Sequence, residues 1–157
     1  RISSLRSQWP LAARAVSDCV RAADKETKKA GFNRFVGCHR NGGPFEHPKG
    51  RACDFAADKG GFGGDATGAS RDYGNRLANY FINNSGRLGV LYVIWFRRIW
   101  LPSSGWKSYS GAGGDPSSDH TNHEHLSMRF GGLMAIDDFS FVMSGDVWPT
   151  ASLICIW

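Results

Sequence analysis

All five histidines of the chain lie in two short regions. His39 and His47 belong to the first region, and His120, His123 and His125 belong to the second. Histidine is the commonest metal ligand among side chains and titrates near neutral pH. This concentration predicts a metal or acid-base site where the two regions meet in the fold.

The first region contains the run H-P-K-G-R-A-C-D, from His47 to Asp54. A histidine at the end of a loop and an aspartate seven residues later can converge on one point, because Gly50 between them permits a tight turn. Two other interpretations remain open for these residues. His47 fits an ordinary loop histidine, and Asp54 fits a buried acid that caps a turn or pairs with Arg51.

The second region contains His123-Glu124-His125. On a strand, the two imidazoles point to one face and Glu124 to the other. Two histidines and one carboxylate around a single ion, with the fourth position open to water, form the ligand set of a catalytic zinc site. The alternative is that both histidines are cross-strand polar residues on an exposed face.

The pattern of apolar residues indicates which elements position these motifs. It predicts helices, strands and loops in the following order: a helix over 10–30, strands over 32–40 and 50–57, a loop over 60–69, a helix over 70–84, a strand over 88–100, a loop over 101–119 and a strand over 123–130. No repeat or linker interrupts this order. We expect a single α+β domain over 1–157, with a central, mostly antiparallel sheet and flanking helices. The apolar tail 131–157 has no clear period, and we expect it to pack on the body.

Composition limits the classes of function. The chain has 157 residues, 41% hydrophobic and 21% charged, which is typical of a globular domain. Its net charge of +5 comes from scattered Lys and Arg residues rather than a run, so it does not predict a nucleic-acid surface. No stretch reaches the roughly 18 consecutive apolar residues of a membrane span.

The cysteines predict an oxidising compartment. Cys19, Cys38, Cys53 and Cys155 are even in number and contain no C-x-x-C spacing, so two disulfides are expected, with three pairings open. The chain begins at Arg1, and we expect a mature, secreted form without its targeting peptide.

The two motifs, in this order, resemble those of the zinc D-alanyl-D-alanine peptidase and hedgehog-type group, whose signature is His-x-x-Gly-x-Ala-x-Asp followed by His-x-His. The likeness is nearest to secreted bacterial and fungal domains of that group. It extends to Gly37-Cys38-His39-Arg40 and to the segment I-W-F-R-R-I-W over 94–100, and it covers residues 30–130.

The resemblance implies hydrolysis of a peptide bond, usually in bacterial cell-wall peptides. It assigns His47, Asp54 and His125 as zinc ligands, His123 as a proton-handling residue and Arg40 as the group that binds the substrate carbonyl. An ordinary surface ion pair is the other interpretation of Arg40. His120 is a further candidate catalytic residue, and a position on the site rim or the loop surface is equally open to it.

Three more expectations follow for the surroundings of this site. The aromatic residues Tyr92, Trp95 and Trp100 fit core packing better than a substrate platform, and Trp95 is kept as a candidate substrate contact. His39 fits a surface or packing residue. We expect a monomer whose partner is a peptide or peptidoglycan substrate.

One residue departs from the pattern of the group. Many relatives carry an Asp or Glu as the base three residues before the last histidine ligand, where this chain has Asn122. An amide cannot accept a proton from water. A catalytically silent zinc domain that binds wall fragments or a protein partner is therefore the alternative function. Under the peptidase hypothesis, Asn122→Asp is expected to raise activity.

Overall fold

The computed structural model describes residues 11–129, except residues 39, 41, 43 and 44. The elements within this part of the chain are α1 (Leu11–Lys29), β1 (Val36–Gly37), β2 (Ala52–Ala56), α2 (Gly68–Asn83), α3 (Ser85–Leu88), β3 (Val90–Trp95), β4 (Arg98–Leu101), β5 (Gly105–Ser108) and β6 (His123–Met128). The predicted α+β architecture is confirmed. The tail 131–157 lies outside the described residues, so its packing stays a prediction.

The six strands form one sheet in the order β1-β2-β6-β3-β4-β5, and every neighbouring pair is antiparallel. β6 comes last in sequence among the strands of the described residues, and it lies between β2 and β3 in the middle of the sheet. This insertion places the His123-Glu124-His125 motif directly beside the strand that carries Asp54.

The two faces of the sheet have different roles, because successive side chains on a strand point to opposite faces. Cys53 and Phe55 of β2, with Leu126 of β6, belong to the core that the helices cover. The alternate residues, Asp54 on β2 and His125 on β6, belong to the other face.

The two long helices agree with the predicted spans, 10–30 and 70–84. Val20, Ala23 and Thr27 of α1 are buried at spacings of three and four. Within the described residues, no helix is long and apolar enough to cross a membrane.

The prediction of one strand over 88–100 is wrong. Residues 90–101 form the hairpin β3–β4, whose turn residues Phe96 and Arg97 have φ values of 49° and 60°. Such values are unusual for residues other than glycine. Backbone hydrogen bonds compensate here, since Phe96 N donates to His120 O at 3.0 Å and Arg97 N donates to Asp119 O at 2.9 Å.

Two other predicted boundaries are also wrong. The strand over 32–40 shrinks to Val36–Gly37, and the loop over 101–119 contains β5. β5 has little apolar periodicity of its own, but it pairs with the free edge of β4, with Trp106 opposite Trp100.

Glu124 is fully buried on the core face, and neither carboxylate oxygen has a hydrogen-bond partner among the described residues. Burial raises the pKa of this carboxyl well above its usual value. The unfolded chain releases this proton above about pH 4.3, whereas the folded protein keeps it up to its own, higher pKa. The free energy of unfolding therefore falls as the pH rises from about 4.3 to the pKa of the folded state.

We expect Glu124→Gln to remove this loss. The free energy of unfolding of the variant should exceed that of the wild type by about 1 kcal/mol or more at pH 8, and the difference should narrow toward pH 4. Urea denaturation of both proteins across this range measures the effect, with the exposed Asp72→Asn as control. A difference independent of pH would show that Glu124 is not held in its protonated form.

Candidate metal centre

Two of the predicted ligands face each other across neighbouring strands. Asp54 of β2 and His125 of β6 are direct partners in the register of the sheet. Their side chains meet on the face opposite the helices, with His125 Nδ1 at 2.9 Å from Asp54 Oδ1. The rigid sheet therefore fixes these two donor atoms.

His47 joins them from the turn before β2. This turn is closed by hydrogen bonds from Gly50 N to His47 O and from Arg51 N to Glu46 O, and Gly50 has a φ of 71° that favours glycine. His47 Nε2 lies 3.1 Å from Asp54 Oδ1 and 3.2 Å from His125 Nδ1. The structure thus brings together the three residues that the sequence selected.

The geometry of His47, Asp54 and His125 fits a metal ion. Three ligands at about 2.1 Å from a tetrahedral ion lie about 3.4 Å from one another, close to the 2.9–3.2 Å observed here. Burial is almost complete, with residue exposures of 5–7%. This group can therefore hold a metal ion.

Hydrogen bonds on the far side of each imidazole orient the two histidines. His47 Nδ1 lies 2.9 Å from the Cys38 carbonyl oxygen, which can only accept, so this nitrogen carries the proton. His125 Nε2 lies 2.8 Å from Ser127 Oγ, and Tyr92 is hydrogen-bonded with Ser127 in turn. The Tyr92 ring also stacks on the His125 ring at 5.6 Å and 13°. Metal-binding histidines commonly have such partners, which fix the tautomer and the ring orientation.

The charge of Asp54 also suits a cation site. Burial alone would raise the pKa of this carboxyl, but its contacts with His125 and His47 and the field of His123 and His125 hold it well below its usual range. Burial lowers the pKa of His125. An ionised carboxylate and an unprotonated imidazole nitrogen are the forms in which such side chains bind a metal ion.

His123 lies next to the three candidate ligands. Its Nε2 is 3.5 Å from Asp54 Oδ1, and burial lowers its pKa to about 4. The His120 ring lies beside those of His123 and His125, with centroid distances of 4.7 Å and 5.7 Å, and burial lowers the pKa of His120 to about 4 as well. His120 has a φ of 54°, and its Nδ1 lies 3.0 Å from Ser118 O. Both predicted proton-handling histidines are thus at the site.

Asn122 has a different position from the one that a base would need. Its Nδ2 donates to Gly63 O at 2.7 Å, so its Oδ1 faces His123 Nδ1 at 2.6 Å and accepts a hydrogen bond from it. The neutral His123 ring therefore presents the lone pair of Nε2 toward Asp54. Asn122 does not line the cleft beside the metal centre. The structure thus changes the expectation for Asn122→Asp, which would set a carboxylate against the Gly63 carbonyl instead of adding a base.

Arg40 also reaches the site. Its Nη2 donates to Asp54 Oδ2, and its side chain remains 61% exposed. This contact leaves Oδ1 of the same carboxylate to the group formed with His47 and His125. Arg40 lines the cleft, where a substrate carbonyl could accept from its guanidinium.

Trp95, the other candidate substrate contact, lies elsewhere. It is 5% exposed, packs with Ala57, Ala66 and Ala78, and donates from Nε1 to Asn75 Oδ1. It does not line the cleft, so it has the packing role that the sequence also favoured. His39 lies outside the described residues.

The three candidate ligands line a cleft of about 570 Å³. Sequence reasoning missed most of the residues that form its walls, which include Phe45, Phe62, Ile94, Tyr109 and Ser117. In the sequence these residues are indistinguishable from core or loop residues, because no spacing relates them to the histidine motifs.

A disulfide joins Cys38 to Cys53 at the base of the site. It connects the residue whose carbonyl orients His47 with the residue before Asp54. One of the two expected bridges is therefore present. The side chain of Cys19 and all of Cys155 lie outside the described part of the chain, so the second bridge stays a prediction.

Residues 12–123 match the family model of the VldE C-terminal domain. The chain belongs to this family. The segment of this chain that matches the VldE C-terminal domain includes His47, Asp54, His120 and His123, and it ends before His125. Neither curated proteins nor solved structures give a match.

We expect Ser127→Ala to weaken zinc binding about 10- to 100-fold, because the His125 ring loses the acceptor that fixes Nδ1 toward the ion. Zinc titration against a competing chelator measures the change. The exposed Ser108→Ala of β5 is the matched control and should bind as the wild type does. Equal affinities for the two variants would contradict an orienting role of Ser127.

Proposed function

We propose that this chain is a secreted zinc peptidase that hydrolyses a peptide bond, with bacterial cell-wall peptides as the substrate class. The observation that carries the proposal is the convergence of His47 Nε2, Asp54 Oδ1 and His125 Nδ1 at the floor of a cleft. Three protein ligands are typical of catalytic zinc sites, which keep one position for water or substrate. The likeness of the two motifs to zinc D-alanyl-D-alanine peptidases supports the reaction class.

Nitrogen and oxygen donors of this kind suit zinc better than magnesium or calcium, which prefer all-oxygen sites. When bound, zinc supplies Lewis acidity toward a carbonyl oxygen and toward water. The disulfide between Cys38 and Cys53 supports the secreted location, because such bonds persist in oxidising compartments.

The remaining roles fall to Arg40, His123 and His120. The Arg40 guanidinium stabilises negative charge that develops on the substrate carbonyl oxygen. His123 holds its Nδ1 proton against Asn122 and offers Nε2 as the acceptor of a proton from water. His120, fixed through Nδ1 to Ser118 O, is the second group beside the cleft that can carry a proton toward the leaving amine.

A catalytically silent zinc domain is the second candidate function. Asn122 favours it, because the residue at the usual base position orients His123 and cannot itself accept a proton. In this case the same cleft would bind wall fragments or a protein partner without cleaving them.

Incubation of zinc-loaded protein with purified peptidoglycan, followed by mass spectrometry of the released peptides, separates the two functions. We expect new amino termini that disappear after chelation and in His125→Ala. Stoichiometric zinc binding without any cleavage would support the silent domain and contradict the peptidase.

A further inference from the structure

The disulfide between Cys38 and Cys53 lies behind the candidate metal centre, on the opposite face of the sheet. Gly37 of β1 is paired with Asp54 of β2, so the next pair in this antiparallel register is Cys38 opposite Cys53. Both cysteine side chains pack with the core that the helices cover. The candidate ligands Asp54 and His125 lie on the other face, so the disulfide can affect a bound metal ion only through the backbone.

The backbone of Cys38 provides that connection. Its carbonyl oxygen accepts from His47 Nδ1 at 2.9 Å, and this contact directs Nε2 of the same ring to within 3.1 Å of Asp54 Oδ1. Arg40 follows two residues later and donates to Asp54 Oδ2. A displacement of Cys38 would therefore remove the partner that orients the His47 ring and would also move the start of the segment that carries Arg40.

The strand that leads to Cys38 is short and lies at an edge. β1 contains only Val36 and Gly37, and β2 is its one neighbouring strand within the described sheet. The disulfide closes the segment from Cys38 to Cys53, whose sequence separation is 15, and closing a loop restricts the positions open to its ends. Loss of the disulfide should therefore loosen Cys38 before it loosens the longer, central strands.

The turn that carries His47 is held from the other side. Arg51 N donates to Glu46 O at 3.2 Å, and Met128 N of the central strand β6 donates to Arg51 O at 2.9 Å. These bonds involve neither Cys38 nor its disulfide. Without the disulfide, the backbone of His47 would keep its place, while its ring would lose the acceptor that fixes Nδ1.

We propose that Cys38 and Cys53 are positioning residues of the zinc site, which binds zinc tightly only when their disulfide is formed. The proposal rests on the proposed zinc peptidase function and adds a redox control to it. The disulfide forms when the two thiols give two electrons and two protons to a disulfide oxidant, which leaves as a dithiol. A chain whose thiols are still reduced would therefore hold zinc weakly, and hence stay inactive, until it reaches an oxidising compartment.

Zinc titration of Cys38→Ala/Cys53→Ala against a competing chelator tests the proposal. Alanine replaces both cysteines because free thiolates would themselves bind zinc. We expect this double variant to bind zinc about 10- to 100-fold more weakly than the wild type, the usual effect of losing a group that orients a ligand. Leu77→Ala is the matched control for stability, because it removes a fully buried side chain of α2, and it should keep the affinity of the wild type.

Reduction of the wild type by a trialkylphosphine gives a second measurement, which also decides the proposal if the double variant does not fold. The phosphine takes up the oxygen of one water molecule as the disulfide becomes two thiols, and alkylation with peptide mapping then identifies Cys38 and Cys53. Zinc that binds only the closed form lowers the population of open forms that the phosphine can attack. We expect zinc to slow reduction by at least about tenfold in the wild type, but not in His125→Ala.

The outcomes keep this proposal apart from the proposed function. Equal zinc affinity in the wild type and the cysteine variant, or equal reduction rates with and without zinc, overturns the positioning role and leaves the zinc peptidase intact. Equal losses of affinity in the cysteine variant and in Leu77→Ala would assign the disulfide to general stability and would overturn the proposal as well. If the wild type binds no zinc, the metal centre and this proposal fail together.

Discussion

His125→Ala is expected to abolish zinc binding, whereas His123→Ala should keep it within about tenfold of the wild type. His125 Nδ1 lies 2.9 Å from Asp54 Oδ1 and 3.2 Å from His47 Nε2, so its loss removes one of three ligands. His123 Nε2 lies 3.5 Å from the same carboxylate oxygen, outside this group. Loss of a ligand should cost far more than loss of a neighbour.

Calorimetric zinc titration of the two variants measures the difference. His123→Ala should instead lower turnover about 10²- to 10⁴-fold, the usual contribution of a proton-transferring side chain. The two histidines share one strand face, so each variant controls for the other. Equal losses of zinc affinity would mean that both histidines bind the ion, and a larger loss for His123→Ala would reverse the assignment.

Arg40→Gln is expected to lower kcat about 10²- to 10³-fold while zinc affinity changes by less than about tenfold. A group that stabilises the developing oxyanion commonly contributes an effect of this size. The side chain also holds Asp54 Oδ2, but Oδ1 keeps its contacts with His47 and His125 when that bond is lost.

Steady-state kinetics and zinc titration on the same preparation separate the two effects. Arg98→Gln is the matched control, because Arg98 is an exposed arginine on β4 that packs over Trp106 outside the cleft. If kcat is unchanged in Arg40→Gln, Arg40 serves only as the ion-pair partner of Asp54. If zinc affinity falls as much as kcat does, Arg40 acts by holding the candidate zinc ligand Asp54 in place.

Only part of the candidate ligand group was predictable from local information, because the choice of His125 over His123 rested on the family resemblance and the contact of Asp54 with His125 depends on the position of β6 beside β2. Gly50 fixes the turn between His47 and Asp54, and alternation on a strand puts the two imidazoles of His123 and His125 on one face. These short-range constraints hold whatever the remainder of the fold. The same alternation predicts that Glu124 points to the opposite face of the sheet, and in the structure its side chain is buried there.

The hairpin β3–β4 was not predictable by the same reasoning. Its turn, Phe96-Arg97, has none of the Gly, Asn or Asp residues that normally indicate two-residue turns. The turn is held by backbone hydrogen bonds to residues 119 and 120, which come from a distant segment. The apolar run therefore predicts one long strand, and tertiary contacts decide otherwise.

The role of Asn122 was not predictable either, because it also depends on a contact with a distant segment. The sequence shows an amide where a base is expected, but it does not show that the Gly63 carbonyl orients this amide toward His123. The same applies to Phe45 and Phe62, because an exposed phenylalanine at a cleft and a buried one in the core look alike in sequence.

Metal analysis of the purified protein tests whether His47, Asp54 and His125 hold a zinc ion. Elemental analysis after dialysis against buffer with trace zinc should give about one zinc per chain for the wild type and close to none for His125→Ala. The double variant Phe45→Ser/Phe62→Ser should keep its zinc, which controls for general damage to the cleft. A folded wild-type protein without bound zinc would show that these residues do not form a zinc site. Equal zinc contents in the wild type and in His125→Ala would show that His125 is not a ligand.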